Sequence, residues 1–421
     1  MFGFGNRGAR KSASAVLAGL MMTALGSAAV VAAPPTRAAA TAIILGTTFK
    51  PDPATPEYTR GAMEFFVKPT TLCRVQACSV QPVETPEQFW PFSGLLNMTI
   101  DQSIAQGLKI VDDAVRRDLS TSSEPLVVFG DSQSSTILTL EKRSLTTLSD
   151  AEKSRLVLVL VANPNRPNGG LLQRIAPFTI PVINLTGSGA TPTDTGIQTI
   201  DIVCQYDAIA DFPQYPLNIF AMLNLIAGAA IHSSYITGPI DYTQQELDQA
   251  SQSPSNQQTY GDTVYITIPA KQLPLVVPLR EFGDATGLSA ITTPLADLVE
   301  PTLRVLVELG YDRSIPYGQP SGFGLFPKIN LSELAFDLSS AAASGVHAAL
   351  TDLGIRMPDP APPVSAPAAV TAKTTKAAHR KASAVAPLRS ARARPPVPDR
   401  PETHSASARR PAGGHARSAR N

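Results

Sequence analysis

Between residues 42 and 203 the chain alternates short apolar runs with stretches of helical spacing. Ala42-Ile-Ile-Leu45 is apolar and closed by Gly46-Thr47-Thr48, the pattern of a buried strand running into a loop. Met98–Asp118 places Ile100, Ile104, Leu108, Val111 and Val115 on one helical face. Leu126-Val-Val-Phe129, Leu156–Val161, Val182-Ile-Asn-Leu185 and Ile200-Asp-Ile-Val203 continue the series as strands, with a helix expected over 136–140. Strands that are apolar throughout, with helices between them, predict an α/β fold with a mostly parallel sheet. Beyond residue 240 the pattern changes. Thr263–Ile268 alternates as a strand does, and the Pro-punctuated run Leu273–Arg280 leads to helices near 293–310 and 331–353. The span 241–357 is expected to form a lid or subdomain that walls an apolar pocket over a core at 41–240.

Both ends depart from this pattern. After Arg7, Arg10 and Lys11, residues 12–33 carry no charge, and small residues precede Thr41. Residues 1–40 therefore predict a secretory signal or an uncleaved membrane anchor, and an extracytoplasmic body. From about Pro358 to Asn421, Pro, Ala, Ser and Arg dominate and large apolar side chains are nearly missing. Such a segment cannot offset its ordering entropy, so a disordered tail is expected. The formal net charge is only +1, but it is unevenly spread. Residues 371–421 hold twelve Lys/Arg against Asp399 and Glu402, and 41–370 carry the compensating acidic excess. The globular body offers no basic field for nucleic acid. The tail is expected to tether the protein to an anionic envelope or membrane surface; a solvated tail without a partner is the alternative.

With three Cys the chain is not a disulfide-stapled miniature. Cys73 and Cys78 bracket four residues between Pro69 and Pro82, which permits a local disulfide in an oxidising compartment, or two loop thiols. Cys204, directly after an apolar run, reads as a buried small hydrophobe. No metal-ligand spacing or nucleotide motif occurs, so no cofactor is implied.

The chemistry concentrates at Val127-Val-Phe-Gly-Asp-Ser-Gln-Ser-Ser135. A strand, a turn of small residues and a helix start form a nucleophile elbow that lifts a serine hydroxyl, here of Ser132, above the sheet. The backbone N–H of Gln133 would bind a developing oxyanion, with Thr47 after the first strand as the second donor. The body has two His. His232 follows an apolar segment in Ile231-His-Ser-Ser-Tyr235, whereas His347 lies in a bland helical stretch, so His232 is the expected base. The orienting acid should follow a late strand. Tyr206-Asp207-Ala-Ile-Ala-Asp211-Phe-Pro213 offers Asp207 and Asp211, of which Asp207 stands directly after the strand.

Five segments, Gly130–Ser134, Tyr206–Pro213, Ile231–Tyr235, Leu273–Arg280 and Glu300–Asp312, in this order resemble the PE-PPE domain family of mycobacteria and relatives. The resemblance runs from about 42 to 315. It implies a serine α/β-hydrolase fold related to cutinases, acting as an esterase on lipid-like esters or as an acyltransferase building acylated envelope glycolipids. It carries Ser132, Asp207 and His232 over to the triad positions. The chain departs from many members by a signal-like segment where they have a PE or PPE helical domain. A lipid or acyl ester is thus the expected substrate; a non-catalytic lipid-binding protein on the same scaffold is the alternative.

Overall fold

A computed structural model describes residues 40–237 and 242–355. The signal-like segment and the basic tail lie outside the described residues.

Among the described residues nine strands occur: β1 (Ala40–Leu45), β2 (Cys78–Val83), β3 (Leu126–Asp131), β4 (Leu156–Val161), β5 (Thr179–Ile180), β6 (Leu185–Thr186), β7 (Gln198–Cys204), β8 (Gln257–Tyr260) and β9 (Thr263–Ile268). Seven build one sheet in the order β2-β1-β3-β4-β7-β9-β8. Every neighbouring pair in it is parallel except β9–β8. This is the mostly parallel α/β sheet that the apolar strands predict, in keeping with the α/β-hydrolase fold that the resemblance implies. β3 and β4 are buried along their whole length, as strands covered on both faces must be.

Alternate side chains feed two cores. On one face Val127, Phe129, Val159 and Ile202 pack with Phe66, Tyr235 and Ile236. On the other, Val128, Leu158 and Leu160 meet the helices Ile100–Thr121 and Gln133–Ser144. The first of these helices opens with a capping box between Thr99 and Gln102. The second face turns polar toward β7 and β9. Thr199, Asp201, Thr263 and Tyr265 are buried there, beneath Lys142 and Arg166 instead of an apolar helix. Lys142 Nζ reaches Asp262 at 2.6 Å. Arg166 lies 3.4 Å from Asp201 and stacks 4.3 Å from the Tyr317 ring centroid.

Three expectations are corrected. Val182–Leu185 is not a sheet strand: only Leu185–Thr186 pairs, antiparallel, with Thr179–Ile180. Pro181 and Asn184, with φ of 47°, make the segment a turn instead. The sheet gains β2, which the sequence pattern does not predict; it contains Pro82, which is tolerated at an edge. The division at residue 240 also fails, because β8 and β9 complete the sheet. The helices Val277–Thr286 and Leu331–Asp352 pack on Ser289–Glu308, which in turn adds Ala296 and Val307 to the first core.

Candidate active site

β3 ends in a sharp turn. Ser132 has φ 57° and ψ −109°, a left-handed conformation that a non-glycine residue adopts only when its surroundings enforce it. The helix Gln133–Ser144 starts immediately after it and presses back on the strand. A Cβ on Gly130 would sit 2.8 Å from the Ser134 carbonyl carbon, so only glycine fits. Ser134, where the usual elbow has glycine, donates from its hydroxyl to the Gly46 carbonyl at 2.6 Å. It thereby ties the loop after β1 to the elbow.

The structure brings Ser132, His232 and Asp207 together. Ser132 Oγ is 2.8 Å from His232 Nε2, and His232 Nδ1 is 2.8 and 3.0 Å from the two Asp207 oxygens. A carboxylate only accepts, so Nδ1 carries the proton and Nε2 is left to accept from the serine hydroxyl. Asp207 directly follows β7 and is fully buried. It also accepts from the N–H groups of Ile209 (2.7 Å) and Ala210 (2.9 Å) and from the Tyr235 hydroxyl (2.7 Å). Burial alone would raise its pKa. The His232 charge and hydrogen bond, helped by Ala210 and Tyr235, win and hold it below the ordinary value. Asp211 turns elsewhere, into a bidentate pair with Arg313 at 2.6 and 2.9 Å. His347 sits on the helix Leu331–Asp352 and does not line the pocket.

The pocket encloses about 540 Å³ around Ser132 and His232, with walls that include Phe49, Phe89, Ile104, Leu172 and Leu185. Among the described residues, none beyond Ile236 lines it, so the helices after β9 do not wall it as the sequence suggested. β9 stands three places from β3 in the sheet and carries those helices away. A larger cavity of about 840 Å³ among them is lined by Arg280, Asp297, Glu300 and Arg304 and lacks a serine–histidine pair.

The two oxyanion candidates fare differently. Gln133 is the first residue of its helix, where backbone N–H groups face outward. Its side chain is held by the Gln88 carbonyl at 3.2 Å. Thr47 lines the pocket, but its backbone N–H donates to the Lys50 carbonyl at 3.0 Å. Its hydroxyl is directed at Asp131, so neither of its donors points freely at the nucleophile.

Sequence reasoning missed Asp131 and Tyr235, although both lie in motifs it singled out. A charged residue beside the nucleophile, on an otherwise apolar strand, was the available signal. Burial raises Asp131 to about 7, with Asp207 adding to the shift and His232 and Lys50 opposing it. Glu87 behind it is raised to about 8, again by burial first. For His232, burial pushes the pKa down, but Asp207 and then Asp131 outweigh it, and the net shift is upward.

Neutral His232 is the form that accepts a proton. Ester kcat/KM is therefore expected to fall as pH drops through a midpoint above about 6.5, the ordinary histidine value. Because Asp131 titrates nearby, the limb belongs to the pair. Asp131→Asn removes a negative charge and should move the midpoint to lower pH. A pH–rate profile identical to wild type would separate Asp131 from the site's electrostatics.

The sequence pattern of the PE-PPE domain matches residues 77–312. The uncharacterized PPE family protein PPE42 of Mycobacterium tuberculosis (strain CDC 1551 / Oshkosh) is 45% identical over 66% of this chain and 46% of its own length. Esterase PE16 of Mycobacterium tuberculosis (strain ATCC 25618 / H37Rv) is 35% identical over 72% of this chain and 54% of its own. Diacyltrehalose acyltransferase Chp2 of the same strain is 26% identical over 52% and 58%. The chain spans about half the length of the curated relatives it matches.

Proposed function

The chain belongs to the PE-PPE domain family, and from that premise we propose that it is a serine esterase or acyltransferase acting on long-chain acyl esters or envelope glycolipids. Ser132 attacks the ester carbonyl as His232 takes its proton, and Asp207 holds the imidazole tautomer and stabilises the imidazolium. The Gln133 N–H faces the oxyanion of the tetrahedral intermediate, and Thr47 serves as second donor only by turning its hydroxyl away from Asp131. Collapse expels the alcohol, protonated by His232, and leaves an acyl-enzyme. Water or a second alcohol, activated by the same histidine, completes the cycle.

The observation that carries this reading is the continuous Ser132–His232–Asp207 hydrogen-bond chain at the floor of an apolar pocket. A lipid-binding protein without catalysis would need no such alignment. Transfer to a lipid alcohol requires the site to exclude water and position the acceptor; the apolar walls favour the first, and the likeness to Chp2 gives the precedent. We place the protein outside the cytoplasm, on the signal-like segment at 1–40 and the Cys73–Cys78 disulfide. The basic tail is proposed as its contact with an anionic envelope surface.

Purified protein incubated with an acyl-trehalose donor and a glycolipid acceptor should release free fatty acid, acylated acceptor, or both, read by mass spectrometry. Acylated acceptor rising with acceptor concentration marks a transferase, and fatty acid alone an esterase. An unchanged donor under all conditions, with soluble esters also untouched, would overturn the enzyme reading.

A further inference from the structure

Two loops flank the pocket mouth, and neither contains a charged residue. Residues 88–100 read Gln-Phe-Trp-Pro-Phe-Ser-Gly-Leu-Leu-Asn-Met-Thr-Ile, and residues 175–186 Ile-Ala-Pro-Phe-Thr-Ile-Pro-Val-Ile-Asn-Leu-Thr. The first sends Phe89 and Ile100 into the pocket wall, the second Leu185. They are joined by bonds from Asn184 Nδ2 to Thr99 Oγ1 (3.1 Å) and from the Asp101 N–H to the Asn184 carbonyl (3.3 Å). What they hold outward is apolar. Leu95 is 79% and Leu96 101% exposed, and Phe92, Phe178 and Val182 are also exposed, with Phe49 on a third side of the mouth.

Many polar groups of these loops are bonded within them, and the Thr186 N–H and hydroxyl are taken by the Asp101 carboxylate at 3.1 and 2.6 Å. Trp90 Nε1–H donates to the Leu95 carbonyl (3.2 Å) and Asn97 Nδ2 to the Ser93 carbonyl (2.8 Å). The Phe89 N–H meets Ser93 Oγ (2.8 Å), and the N–H groups of Trp90 and Gly94 meet the Met98 and Pro91 carbonyls. Across the other loop the Thr179 and Thr186 hydroxyls pair at 2.9 Å, and the Gly187 N–H closes on Phe178. Contiguous exposed apolar surface marks a binding face. A protein partner is ordinarily met with intermolecular hydrogen bonds and a polar rim. Hydrocarbon, which offers no partners, requires polar groups to be satisfied within the inserted segment.

We propose that this apolar rim, with Lys50 as the charged residue beside Phe49, is an interfacial docking surface, seating the pocket mouth against the acyl-chain layer of a condensed lipid phase. The idea rests on reading the Ser132 pocket as the acyl-ester site. Docking there would let an acyl chain pass from the lipid layer into the pocket without crossing water. The driving force is burial of the rim side chains, as for interfacial segments generally.

The chain's one tryptophan, Trp90, lies in the rim and serves as the probe. The full chain is titrated with zwitterionic phosphatidylcholine vesicles, with and without brominated acyl chains. Trp90 emission should shift to the blue and be quenched by the bromines, equally at low and high salt and equally in Ser132→Ala. Leu95→Asp/Leu96→Asp should weaken partitioning on the order of 100-fold, the factor expected from two leucines that no longer bury. Both positions are exposed, so the melting temperature should stay at the wild-type value. Emission that neither shifts nor quenches at any lipid concentration would overturn the proposal, as would binding abolished by salt or wild-type binding by the double variant. Vesicle binding that persists in a Ser132→Ala protein with normal ester turnover would uphold docking while removing the catalytic reading.

Discussion

Ser132→Ala, His232→Ala and Asp207→Asn should each lower turnover of a soluble ester by on the order of 10⁴-fold or more, and together by little more than the worst of them. The three groups form one hydrogen-bonded unit, Ser132 Oγ to His232 Nε2 at 2.8 Å and His232 Nδ1 to Asp207 at 2.8 Å. Removing any of them disables the same proton transfer. Asp207→Asn keeps the volume but can offer an N–H to Nδ1, which turns the imidazole to the wrong tautomer. Asp211→Asn is the informative contrast. It breaks a pair with Arg313 and should show in thermal melting more than in chemistry. A fluorophosphonate probe should label wild type and leave Ser132→Ala unlabelled. Full activity of His232→Ala together with its loss in His347→Ala would sink the assignment.

The second large effect concerns stability. Arg166→Met should cost about 3–5 kcal/mol, the usual consequence of leaving a buried ion-pair partner alone. Arg166 and Asp201 are each about 1% exposed. The carboxylate left behind would keep the Asn163 amide, at 2.7 Å, and the charge of Lys142 nearby. Removing both charges, as Arg166→Met/Asp201→Leu, should recover much of the loss, because the desolvation cost disappears with the pair. Denaturant midpoints of the two single variants and the double give the coupling. Purely additive losses would show that the two charges do not support each other.

The elbow and the chain order Ser132, Asp207, His232 were legible because each rests on local pattern. β3 is an unbroken apolar run ending in small residues, and His232 has one competitor in the body. Asp207 over Asp211 could be argued only from adjacency to β7. What separates them is where Arg313 sits, more than 100 residues downstream. The polar half of the sheet was not legible. Ile200-Asp-Ile-Val203 reads as a strand, but nothing in it says what Asp201 meets; Arg166, in the loop after β4, makes it a buried partner. Likewise the pocket wall was assigned to the apolar region after 263. Composition gives apolarity but not direction, and the placement of β9 beyond β7 decides which way those helices go.

The outer strands of the sheet bear on how the chain can be cut. β2 carries Pro82, and β8 is the four-residue Gln-Gln-Thr-Tyr, so neither edge invites another strand to add on. β7 is different: its Thr-Ile-Asp-Ile-Val-Cys core is long and β-branched, and β9 covers its free ladder along six residue pairs. A fragment ending near residue 240 would keep Ser132, Asp207 and His232 yet leave that ladder open to self-association. The stretch after 240 thus covers the edge through which such a fragment would be expected to self-associate.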